Sequence, residues 1–241
     1  MSRFLTSRVL TGVATVGVLT LGSLACALPA TAATSDGTPV TAHSSLAAIQ
    51  QAGAAATNKR IASLNTGISK VNSTKTLSSA DKSTVLATLN NDLSGMKTLQ
   101  AKIAGDTTAA TAWTDYRSIF TEYRVYAVGL QQSFIAAAAD GLTDTAIPKL
   151  QSAAAKISTY FAAHPDKVTP DLQAKLADMQ AKTADAASKT TGLAAAALAV
   201  TPAAYNANHA ILTDDRAAAR AALADSKAAA QDGRAIAAAL K

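Results

Sequence analysis

AATAWTDYRSIFTEYRVYAVGLQQSF, residues 109–134, is the stretch that decides the fold. Trp113, Tyr116, Phe120, Tyr123, Ala127, Leu130 and Phe134 follow one another at alternating steps of three and four. That spacing places all seven on one stripe of an α-helix. Aromatic residues concentrate here, since Phe, Trp and Tyr make up only 4% of the chain and six of the ten fall within this stretch. It predicts a continuous helix ending at the Asp140-Gly141 pair, which reads as a break or kink.

The flanking sequence repeats the helical pattern with a smaller side chain. Alanine accounts for 60 of 241 residues. It has the highest helix propensity but buries one methyl, so its helices must approach closely to gain dispersion energy. Upstream, Ser44 or Ser45 opens a helix to about Lys75, with Ile61, Leu64, Ile68 and Val71 as its stripe and Gly67 at an exposed phase. Ser78 or Ser79 caps a second helix carrying Leu86, Leu89, Leu93, Met96 and Ile103, with polar Gln100 in one slot. Downstream, a cap near Thr143 or Thr145 puts Pro148 in a first turn, where proline is tolerated. Thr169-Pro170 and Thr201-Pro202 start two further helices, the first reaching Leu193 and the second running unbroken to about Leu240. The apolar run 193–200 reads as a helix end buried on most sides.

Short links make neighbouring helices antiparallel. The fold class is therefore all-α, an elongated antiparallel helical bundle with coiled-coil-like packing at crossings near ~20°. Three segments follow along the chain: 1–33 as a signal peptide, 34–43 as a disordered linker, and 44–241 as one helical bundle domain. The signal rests on Arg3 and Arg8, an apolar stretch from Val9 to Leu28, and Pro29-Ala30-Thr31-Ala32-Ala33, which favours cleavage after Ala32 or Ala33. Cys26, the only cysteine, falls inside it, and Ser23 occupies the position where a lipidation motif wants leucine. The expected location is secreted or cell-surface associated, with no membrane span left after cleavage.

Charge narrows the functional classes. The chain is +6 overall, and removing the two leader arginines leaves +4, scattered with no basic run longer than Lys59-Arg60. A nucleic-acid binder concentrates its cations on one face or element, so nucleic acid is not an expected partner. Weak attraction to an anionic cell wall stays open, and the main partner is an unknown envelope or extracellular one. His43, His164 and His209 share no metal-ligand spacing, and no phosphate loop, nucleophile elbow or zinc helix motif occurs. No metal, no cofactor and no catalytic residue is expected, and the chain is read as not an enzyme.

One constellation stands out. Asp115-Tyr116-Arg117 recurs seven residues on as Glu122-Tyr123-Arg124, about 10.5 Å along one helix face. Arg117 and Arg124 flank the tyrosines and suit a bidentate phosphate or carboxylate contact. The candidate ligand-binding residues are Trp113, Tyr116, Arg117, Phe120, Tyr123, Arg124 and Tyr126, set against a structural role for the same rings as core fillers.

The order of leader, KRIASLNTGISKVNSTKTLSSADKSTVLATL, SIFTEYRVYAV and a final alanine-rich helix resembles uncharacterised exported Ala-rich helical proteins of high-GC Gram-positive bacteria. The resemblance implies export and a helical fold, and no activity. Two functional readings result: a non-enzymatic exported bundle acting by surface contacts, or a carrier holding a small apolar or aromatic ligand between helices at the Trp113–Tyr126 stripe.

Overall fold

A computed structural model describes residues 40–240, and these are helical, with no strand among the described residues. The expected leader and most of the linker lie outside the described residues. Nine α-helices are described: α1 (Leu46–Ser73), α2 (Ser79–Gly105), α3 (Ala109–Thr121), α4 (Gly129–Asp140), α5 (Ile147–Ala163), α6 (Pro170–Thr190), α7 (Leu193–Leu198), α8 (Pro202–Ala207) and α9 (Thr213–Ala239). Their starts are chemically marked. The side chains of Ser45, Ser78, Thr108, Thr169 and Thr201 each accept from the backbone N–H three residues on. Each such cap satisfies an N–H that the first helical turn would otherwise leave unpaired.

The described residues form two compact units. The first, here the N-terminal unit, comprises 40–136 and 194–214; the C-terminal unit comprises 137–193 and 215–240.

In the N-terminal unit α1 and α2 are antiparallel. Gln50 Nε2 donates to the carbonyls of Ala104 and Asp106, and Asn58 Oδ1 accepts from Gln100 Nε2 at 2.7 Å, so sequence numbers rise on one helix as they fall on the other. Ile49, Leu64, Val71, Val85, Leu89, Met96, Leu99 and Ile103 fill the seam. Gln100 is therefore a rim residue, and Leu99 takes the core position beside it. Gly67 is not at an exposed phase as its spacing suggested. A methyl on Gly67 would stand 2.8 Å from Leu130 Cδ2, and one on Gly53 the same distance from Ile103 Cγ2. Both glycines are dents that admit a large neighbour.

The C-terminal unit packs α5, α6 and α9 around Leu150, Ile157, Phe161, Leu172, Leu176, Met179, Ile236 and a set of alanines including Ala229. Lys182 pairs with Asp232, and Lys189 with Asp225, seven residues apart in opposite directions, so α6 and α9 run antiparallel. Asp140-Gly141 does not break the chain. Residues Gly141–Ala146 continue it as a π-helical turn, with the Ile147 N–H bonded to the Leu142 carbonyl five residues back. The wider turn removes the close i−4 approach that a proline at 148 would otherwise meet, which is why no new cap at Thr143 or Thr145 is needed.

Two other expected helices are shorter than their patterns. The segment opened by Thr201-Pro202 stops at Ala207, and Asn208 caps a turn before α9 begins. The α6 segment stops at Thr190, where Gly192 at φ +69 turns the chain before α7. α7 is not buried on most sides, because Ala195 and Ala196 are exposed.

Candidate functional site

The aromatic stripe is rotated and interrupted. In α3 the buried line is Ala112, Asp115 and Ile119 rather than Trp113, Tyr116 and Phe120, a shift of one residue, or about 100° of helix. Small Ala112 lets α3 lie close to its neighbours, whereas indole and phenol rings there would hold it off. The rings take the flank and stay half-buried. The α-helix then ends at Thr121, and 122–128 form a turn in which Arg124 adopts φ +49. Left-handed backbone at a residue with a Cβ costs about 1–2 kcal/mol. Tyr123, Ala127, Leu130 and Phe134 therefore do not extend the α3 stripe, and the two acid-Tyr-Arg triplets do not share a helix face.

What the turn achieves is to bring Tyr126 back toward α1. Tyr126 OH and Ser63 Oγ are 3.0 Å apart, and the Arg60 guanidinium lies 5.0 Å from the Tyr126 ring centroid and 4.5 Å from that of Phe120. Phe120 meets Tyr116 edge-on at 5.2 Å, and Tyr116 stacks with Trp113 at 5.6 Å and 22°. Trp113, Tyr116, Phe120, Arg60 and Tyr126 thus form one unbroken wall. Arg60 was missed in the sequence, where Lys59-Arg60 read only as a short basic pair. Its signal was faint: an arginine one residue before the apolar Ile61.

Arg60 is electrostatically unusual. Its Nη1 donates to the Ala56 carbonyl at 3.1 Å, and no carboxylate pairs with it among the described residues. Burial lowers its pKa, opposed by the nearby Tyr126 and Tyr116 hydroxyls. By contrast Lys102 holds Asp115 at 2.8 Å, and Lys189 holds Asp225 at 2.6 Å. Their pKa values are raised, first by those hydrogen bonds.

The other candidates separate. Arg117 is exposed on α3. Arg124 lies 5.4 Å over the Tyr205 ring, and its Nε donates to Asn206 Oδ1 at 2.7 Å, while Asn206 Nδ2 donates to the Thr121 carbonyl. That latch holds the strained turn against α8. Tyr123 packs over Gly95 and beside Asp92, away from the stack; burial raises its pKa, as do Glu122 and Asp92. Asp92 itself is pushed up to about 6 by burial. No group of three His, Cys, Asp or Glu that could hold a metal occurs among the described residues, and no described helix is long and apolar enough to cross a membrane.

No family model, curated protein or solved structure matches this chain.

Proposed function

We propose that the protein is a non-enzymatic exported helical protein that acts by surface contact in or outside the cell envelope, through the arginine–aromatic wall of its N-terminal unit. The observation that carries the reading is the half-exposed run Trp113, Tyr116, Phe120 and Tyr126 joined to an arginine without an acid. Aromatic residues and arginine are the types that concentrate binding energy at contact centres. Export rests on the basic, apolar, Ala-x-Ala order of residues 1–33 and on the resemblance to exported Ala-rich proteins. Coiled-coil-like packing is proposed for the alanine-rich helices, on the strength of their three-four spacing and narrow seams.

A photoreactive residue at exposed Thr114, beside the wall, tests the contact in the envelope of the producing cells; Lys149 on α5 is the control position. Cross-linked species specific to position 114, competed by unlabelled protein and weakened by Trp113→Ala with Tyr116→Ala, are expected. Equal labelling from both positions would overturn the reading. A purely apolar carrier site is less well supported, because Phe120 and Tyr126 already present their rings to a cation.

A further inference from the structure

We infer that the Arg60 wall is a binding site for a small aromatic carboxylate, the anion paired with the guanidinium and its ring laid along the Trp113–Tyr116 stack. The inference rests on the reading of this face as the contact surface and names the chemistry it takes.

Charge complementarity comes first. A partly buried guanidinium has lost hydration, and Arg60 has no aspartate among the described residues to replace it, whereas the more exposed cations Lys102, Lys182 and Lys189 each hold one. Arg60 meets one backbone carbonyl and two ring faces instead. Cation–π contact offsets part of that loss, and it leaves the forked donors that match a planar carboxylate without a matching acceptor.

Hydroxyl donors come second. Ser63 Oγ donates to the Lys59 carbonyl, so in its pair with Tyr126 the phenol OH is the donor, and that one proton can turn toward an anion held by Arg60. The Tyr116 hydroxyl also lies within electrostatic reach of the guanidinium. No acid stands among these groups to repel an anion: the nearest acid on α3, Asp115, is buried against Lys102.

Ring contact comes third and sets the ligand class. Trp113 and Tyr116 stack at 22° and stay half-buried, so a flat ring extends an existing stack without displacing core side chains. A carboxylate without a ring would use only the arginine end of the wall. A ring without the anion would leave the guanidinium as it is.

Trp113 is the only tryptophan, so its emission reports the site directly. The probes are sodium benzoate, sodium acetate, inorganic phosphate and benzyl alcohol, titrated calorimetrically and by Trp113 fluorescence into the protein lacking residues 1–33. Benzoate is expected to bind in the range of about 0.1–1 mM, at least ~10-fold tighter than acetate, phosphate or benzyl alcohol. Arg60→Gln should weaken benzoate ~10-fold or more, with Arg60→Lys intermediate because it keeps the charge and loses the fork. Tyr126→Phe keeps the ring and removes only the hydroxyl, so it remains informative if Arg60→Gln fails to fold; a loss of about 3–5-fold is expected.

Absence of benzoate binding, binding unchanged in both Arg60→Gln and Tyr126→Phe, or tighter binding of phosphate would each overturn the inference. Cross-linking specific to position 114 without benzoate binding would sink this site chemistry and leave the contact surface standing. Benzoate binding without such cross-linking would do the reverse.

Discussion

Asp92 shows how one residue can be expensive to keep. Its carboxylate is half-buried beside Gly129 and Tyr123, and burial pushes its pKa up to about 6, against about 3.9 in an unfolded chain. Between about pH 4 and 6 the folded protein holds a proton that the unfolded chain has released, so stability falls as pH rises through that window. Above it the ionised form is penalised. Asp92→Asn should therefore raise stability at pH 7 by about 1 kcal/mol, after discounting for its partial exposure, and leave it little changed at pH 4. Urea melts at the two pH values check this; equal shifts at both would contradict it. Gly95 is the second residue-scale case. A methyl there would stand 2.1 Å from Tyr123 Cε1, so Gly95→Ala must displace the ring, at a cost of about 1–3 kcal/mol. Adding Tyr123→Ala to Gly95→Ala should recover part of that loss, which thermal melts of the single and double variants would reveal.

At the scale of elements, starts were more legible than ends. Ser45, Ser78, Thr169 and Thr201 were readable as caps because a capping hydroxyl acts over three residues of local sequence. The ends depend on distant partners. Nothing local stops α3 at Thr121; the strained Arg124 turn is held by Asn206 and Tyr205, some eighty residues away in sequence. Periodicity also fixes spacing without fixing phase, so Trp113, Tyr116 and Phe120 and the truly buried Ala112, Asp115 and Ile119 fit the same three-four rule. Size decided between them, and size matters only once α1 and α2 are present. That is why the candidate rings were legible and Arg60, their partner from α1, was not. Gln132 extends the point to a helix end. It is buried, and its Nε2 donates to the carbonyls of Ala197 and Val200 at the close of α7. Gln132→Ala should remove the side-chain donor from the Val200 carbonyl and leave the Ala197 carbonyl only its bond from the Val200 N–H, costing about 1–3 kcal/mol and speeding amide exchange through 193–200 more than through α1. Uniform acceleration across both segments would argue against a local cap.

For the molecule as a whole, small side chains have different consequences in the two units. The seam between α1 and α2 is built from branched side chains such as Leu64, Leu89 and Ile103, with glycine dents to admit them. The C-terminal unit draws α9 onto its partners with Ala229, Ala230 and Ala237, so its few large residues carry more of the burial. Met179, fully buried on α6, is one of them. Met179→Ala should cost about 2–5 kcal/mol. The two units have their own buried residues, and Trp113 lies on the flank of the N-terminal unit. Denaturation followed by circular dichroism should therefore lose part of its helix signal earlier in Met179→Ala, while Trp113 emission keeps its parental midpoint. If both signals move together by the full amount, the units unfold as a single cooperative block, and the alanine-rich unit is sustained by the rest of the chain rather than by its own core.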